Sequence, residues 1–284
     1  MQDLDSLKAD LATAIRLLTA EGLMDFNGHL SVRTPGDPNK ILINPRSVSR
    51  TRVTGGDIVA TDLRGVLVDG KLEPPSETPI HTAIYRQRPD VISVAHIHPA
   101  IATAFSIAEV PIVPVFTLGC LFGDGVPVFD KPDLVRTAAL GDELAEVLGA
   151  RRAALMRGHG AVVVGEGVVE CFNACIWLEE NAKKQLTARQ LGNVVHAFSS
   201  DEIARVKNDL WRPEVIRKTW DYYTAKERTG DAWADQSRPR GKKRVRARGE
   251  NAQGIGERRV TEAIRCVDLR NGVTNVRDLY GHTK

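Results

Sequence analysis

Apolar side chains recur at Leu4, Leu7, Leu11, Ile15 and Leu18, and a repeat of three or four residues puts them on one face of a helix. The spacing predicts that helix over residues 4–23, ending near Gly22. Four short β-type runs follow, HLSVRT, KILINP, DIVATDL and GVLVDG, separated by Gly, Pro and Asp. From Ser76 to Gln87 the spacing is helical again, with Ile80 and Ile84 on one side. Next come a strand in VISVAHIH, a helix in PAIATAFSIA and apolar segments around VPIVPVF and GVPVF. A helix in DLVRTAALGDELAEVLG, a strand pair in AALMRGHGAVVVGEG and a long helix over 168–191 complete the alternation. Residues 201–227 read as one further helical region, whose Trp211, Trp220, Tyr222 and Tyr223 offer aromatic surface to the body of the protein or to a neighbouring subunit. This order predicts an α/β fold with a central mixed or antiparallel sheet flanked by helices.

Composition adds a boundary. The chain of 284 residues has a net charge of +3, yet residues 228–284 contain 14 Lys and Arg against 7 Asp and Glu. The first 227 residues therefore carry −4, being +3 less the tail's +7. The segment is poor in large apolar residues and is expected to be a disordered, solvated tail behind a catalytic domain at 1–227, with nucleic acid disfavoured as its partner. No apolar run approaches the roughly 20 residues of a membrane span, and the amphipathic start is unlike a signal peptide. A cytoplasmic location is expected. Cys120, Cys171, Cys175 and Cys266 lack metal or redox spacing and read as reduced thiols. Neither phosphate-cradling glycine motif is present, which disfavours nucleotide folds.

The candidate chemistry starts at Val94–Pro99, VAHIHP. Side chains two apart in a strand share a face, so His96 and His98 project together, either as half of a metal site or as a buried pair bonded to carbonyls. His159, between Gly158 and Gly160, can approach other groups closely and add a third imidazole. Glu77 stands at a predicted helix start.

Taken together, S-E-x-x-x-H at Ser76–His81, Y-x-x-R-P-D at Tyr85–Asp90, H-x-H-P at His96–Pro99 and R-G-H-G-x-x-x-x-G at Arg157–Gly165 resemble the class II aldolase/adducin family over roughly residues 4–225. The resemblance implies a three-layer fold, a homotetramer with sites at subunit junctions, and one divalent metal ion per subunit: zinc or manganese, with iron or cobalt also accommodated. It implies His96, His98 and His159 as metal ligands, with Glu77 as a fourth ligand or the catalytic acid/base. His81 is expected to be structural and His29 to line the pocket, while His196 and His282 lie outside the motifs.

The family's sugar-phosphate aldolases hold phosphate with an N-G turn, a T-P-T-G loop and an S-S pair. Here the corresponding segments are Asn27-Gly28, Asn44-Pro45-Arg46-Ser47 and Pro75-Ser76. Proline removes an N–H, and Arg46 brings a planar fork suited to a carboxylate. The sequence looks more like the branch that decarboxylates dihydroxyphthalate and hydroxypyridine-dicarboxylate compounds. On that reading Asn27, Gly28, His29, Arg46 and Ser76 contact a small aromatic substrate. Phe116, Phe122 and Phe129 suit either a flat ring or plain core. A sugar-phosphate aldolase or epimerase is the alternative; a non-enzymatic adducin-like module stands third, because a pure scaffold needs no converging ligands.

Overall fold

Helix α1 (Leu4–Ala20) buries Leu7, Leu11, Ile15 and Leu18 along one face, as the spacing predicts, while Leu4 stays exposed. It ends where Gly22 adopts φ 71°. Gly22 N–H donates to Thr19 O and Leu23 N–H to Leu18 O, a Schellman turn that reverses the chain. The computed structural model describes residues 3–192 and 195–228, so the expected tail beyond 228, with Cys266 and His282, lies outside the described residues.

Among the described residues, eight strands form one sheet: β1 (His29–Thr34), β2 (Asp37–Ile43), β3 (Val59–Asp62), β4 (Leu67–Asp69), β5 (Ser93–Ile97), β6 (Val128–Phe129), β7 (Ala153–Met156) and β8 (Gly160–Gly165). Their order is β4-β3-β2-β1-β5-β8-β7-β6. Every neighbouring pair is antiparallel except β6 and β7. Alternation along the strands divides the core. Ala95, Ile97, Ala161 and Val163 pack on the side of α1, α3 (Ala100–Ile107) and α5 (Val168–Leu191). Val94, Val162 and Val164 face α2 (Thr78–Gln87) and α4 (Ala138–Leu148). The result is the expected three-layer arrangement.

Two local expectations change in the fold, and one apolar segment finds its place. The predicted helix from Asp133 starts only at Ala138, because Thr137 Oγ1 caps Leu140 N–H and the preceding residues run as an extended loop. The apolar run at 110–116, to which the sequence assigned no element, forms neither strand nor helix. Pro111 and Pro114 interrupt its donors, and buried Asn181 and Gln185 of α5 bond the backbone of Pro111, Val113 and Val115 instead. The helical region expected over 201–227 divides into α6 (Ser200–Leu210) and α7 (Pro213–Arg228), with proline opening the second. Three of its aromatic residues settle on their own body while Tyr222 stays exposed: Trp211 meets Trp177, and Trp220 and Tyr223 meet Phe172, with ring centroids 5.3–5.5 Å apart. Phe122 and Phe129 are core on opposite faces of the sheet. Among the described residues, no helix is long and apolar enough to cross a membrane.

Candidate metal centre

Adjacent strands bring the imidazoles together. His96 on β5 lies opposite His29 on β1 and Val162 on β8, so both histidines point to the α2 side. His98 follows two residues later on the same side, with its Nε2 3.1 Å from that of His96. The turn between β7 and β8 presents His159: Gly158 has φ 65°, and His159 N–H donates to Met156 O. A Cβ on Gly160 would lie 2.4 Å from Ile97 O, so only glycine lets the turn reach β5 this closely. The His159 ring centroid is 4.8 Å from that of His96 and 5.5 Å from that of His98.

Glu77 occupies the position before α2 but does not cap it. Its Oε1 accepts from Val135 N–H at 3.0 Å, in the extended loop that replaces the start of the predicted helix. Its Oε2 stands 3.9 Å from Nε2 of both His96 and His159. The four expected ligand residues thus meet at one place.

Hydrogen bonds assign the ring nitrogens. His96 Nδ1 reaches Ala161 O at 3.2 Å, and His98 Nδ1 reaches Asp25 Oδ1 at 3.0 Å. Both acceptors call for a protonated Nδ1, which leaves two Nε2 lone pairs facing each other. Such a pair repels unless a proton or a metal cation lies between them. Among the described residues, His159 Nδ1 is buried without a partner, a further site of unmet demand. Burial, then the neighbouring imidazoles of His98 and His159, holds His96 well below the usual histidine range. Burial lowers His159 against the opposing pull of Glu77. Neutral imidazoles beside a carboxylate are the donor set that a divalent ion takes, so the residues fit the group.

Of the remaining expected site residues, Asn27, Gly28, Arg46 and Ser76 lie on three joined loops. Asn27 is exposed, and its N–H donates to Asp25 Oδ1; Gly28 packs so closely on Met24 that a Cβ would sit 2.6 Å from its Cγ. Arg46 and Ser76 are exposed. Arg50, which nothing in the sequence distinguished from its neighbours, is buried and donates to the carbonyls of Gly28, Pro45, Arg46 and Val48. Arg46 N–H in turn donates to Glu73 O. His29 is buried beside His96, with ring centroids 4.9 Å apart. Asp25 was also missed, since only the Schellman turn brings it to His98. His196 is exposed. A cavity of about 740 Å³ opens at the other end of the sheet, between Thr34, Ile92, Gly167 and Arg217, and none of the metal-centre residues lines it.

His81 supplies a stability prediction. Burial pushes it down to about 3 from 6.5, so the unfolded chain binds a proton that the folded chain refuses. Stability is complete above about pH 6.5 and is lost as pH falls toward 3. Metal-free protein is expected to lose about 2 kcal/mol from this group between pH 7 and 5. Urea unfolding at both values, compared with His81→Gln, isolates the contribution. An equal pH dependence in the variant would reject it.

The class II aldolase and adducin N-terminal domain model matches residues 9–186. The chain is 31% identical over 228 residues to 3,4-dihydroxyphthalate decarboxylase of Terrabacter sp., covering 73% of this chain and 95% of that one. It is 30% identical over 239 residues to the enzyme of the same name from Rhodococcus jostii, covering 76% and 97%. L-fuculose 1-phosphate aldolase of Glaciozyma antarctica shares the fold, with a TM-score of 0.69, 24% identity, and coverage of 81% of this chain and 92% of that structure. The matched domain and these relatives agree: the chain belongs to the class II aldolase and adducin family.

Proposed function

We propose that the protein is a divalent-metal-dependent, non-oxidative decarboxylase of an ortho-hydroxylated aromatic dicarboxylate, of the 3,4-dihydroxyphthalate type. The observation that carries this reading is the clustering of His96, His98 and His159, with Glu77 Oε2 3.9 Å from Nε2 of His96 and of His159. The choice of decarboxylation over aldol cleavage rests on the relatives named as decarboxylases and on Arg46 and Pro75 in the anion-binding loops. Zinc, manganese, iron and cobalt all suit these donors.

A divalent cation held by the three imidazoles supplies Lewis-acid stabilisation of negative charge developing on the substrate. The chain's own residues do the rest. Arg46 forks onto the carboxylate that is retained, and Asn27, Gly28 and Ser76 line the same loops. The carbon–carbon bond breaks, carbon dioxide departs, and the electron pair left on the ring takes up a proton. Glu77 delivers that proton from Oε2 while Val135 N–H fixes Oε1. Water returns a proton to the carboxylate, so one proton enters for each carboxylate lost.

Retention of Asn27-Gly28 favours one second reading, sugar-phosphate aldol cleavage or epimerisation. Metal-loaded protein is expected to release carbon dioxide from 3,4-dihydroxyphthalate and to form no dihydroxyacetone phosphate from fuculose 1-phosphate. The reverse pair of results would place the aldolase first. A purified protein that takes up no divalent metal would favour a non-enzymatic module.

A further inference from the structure

A buried chain of hydrogen bonds starts at His29 and leads away from the metal centre. His29 Nδ1 lies 2.6 Å from His81 Nε2, His81 Nδ1 lies 2.6 Å from Ser31 Oγ, and Ser31 Oγ lies 2.8 Å from Tyr85 Oη. Two carbonyls close it: Ile92 O is 3.3 Å from Tyr85 Oη, and Val94 O is 3.5 Å from Ser31 Oγ. The two periodicities build this chain, since His29 and Ser31 alternate on β1 while His81 and Tyr85 stand one turn apart on α2. All four side chains are buried. Burial holds His81 neutral and pushes the Tyr85 phenol up, leaving each one hydrogen to share.

A carbonyl oxygen only accepts. With carbonyls at the far end, the hydrogens point outward: Tyr85 donates to Ile92 O, Ser31 to Tyr85, His81 Nδ1 to Ser31, and His29 Nδ1 to His81 Nε2. His29 Nε2 then carries no hydrogen and is the one ring atom able to accept. A ring nitrogen of His29 shares a 4.8 Å neighbourhood with donor atoms of Glu77 and His96, which puts the ring at the reacting centre.

We propose that His29 meets the substrate as a hydrogen-bond acceptor, and that His81, Ser31 and Tyr85 are positioning residues that lock the required tautomer. The proposal deepens the decarboxylase reading and rests on it: the donor is the hydroxyl ortho to the departing carboxylate. A methyl ether at that place has no hydrogen to give and leaves a buried acceptor unpaired, which a site built for a donor rejects. The chain acts as a clamp and not as a proton conduit, since it ends on carbonyls that release no proton.

Long-range proton–nitrogen correlation on the full-length, zinc-loaded protein is expected to show His29 protonated at Nδ1. Protonation at Nε2, or averaging between the two, would overturn the clamp. In kinetics, His81→Leu is expected to reduce the preference for 3,4-dihydroxyphthalate over its 3-methoxy ether by about tenfold, with metal content unchanged. His81→Gln, whose amide can accept from His29 and donate to Ser31, should restore part of that preference. Where His81→Leu does not fold, Tyr85→Phe should narrow the preference in the same direction. An unchanged preference in folded variants, or loss of bound zinc from His29→Gln, sinks the proposal, the latter by making His29 a ligand. Wild-type protein that releases no carbon dioxide would instead reject the decarboxylase reading, and the hydroxyl contact with it, while the tautomer measurement still judges the clamp.

Discussion

Alanine at His96, His98 or His159 is expected to strip the protein of its bound metal and to lower kcat/KM by about a thousandfold or more, because the charge of the reacting centre is then unopposed. His98 is the cleanest position. Its side chain is only partly buried and lies at the end of β5, so removing it leaves the core packing in place. His96 is fully buried between two strands, and its loss also opens a small cavity. Asp25→Asn should produce a milder version of the same defect, about 10- to 100-fold in metal affinity, since Asp25 orients His98 without belonging to the ligand set. Elemental analysis beside circular dichroism separates loss of metal from loss of fold. Stoichiometric metal in two of the three alanine variants would reject this assignment of ligands.

The second large effect is expected at Arg46. If its guanidinium holds the retained carboxylate, Arg46→Ala should lose about 2–4 kcal/mol of transition-state stabilisation, or about 30- to 900-fold in kcat/KM. The loop should survive the change. Among the described residues the Arg46 side chain makes no hydrogen bond, while the loop backbone is held by Arg50 and by the bond from Arg46 N–H to Glu73 O. Metal content should therefore stay normal. Lysine should recover only part of the loss, because an ammonium cannot reproduce a two-point fork. Full activity in Arg46→Ala would move carboxylate recognition elsewhere.

The residues from Ser93 to Pro99 show how much of the site can be read along the chain. Alternation gave a buried strand, and the two-residue repeat put His96 and His98 on one side without reference to any other segment. Glycines around His159 announced a tight turn, and helical spacing placed Glu77 at the head of α2. These are local properties, set by backbone geometry over a few residues. Membership of a family could be inferred from them because the four motifs occur together in order.

Local pattern could not say which strand lies beside which. Strand order alone puts β1 between β2 and β5, and so sets His29 against His96 and Ser31 against the helix that carries His81 and Tyr85. The Schellman turn after α1 carries Asp25 to His98, although 73 residues separate them. An extended loop displaced the first turns of the expected helix at 133, since Val135 N–H bonds a carboxylate 58 residues away. In the same way, Phe122 and Phe129, close together in sequence, went to opposite faces of the sheet. Periodicity is written within one turn or one strand, so the chain by itself determined its elements and the side on which each chemical group stands. The partners of those groups are fixed by burial and hydrogen bonding between distant segments, and only the tertiary structure decides them.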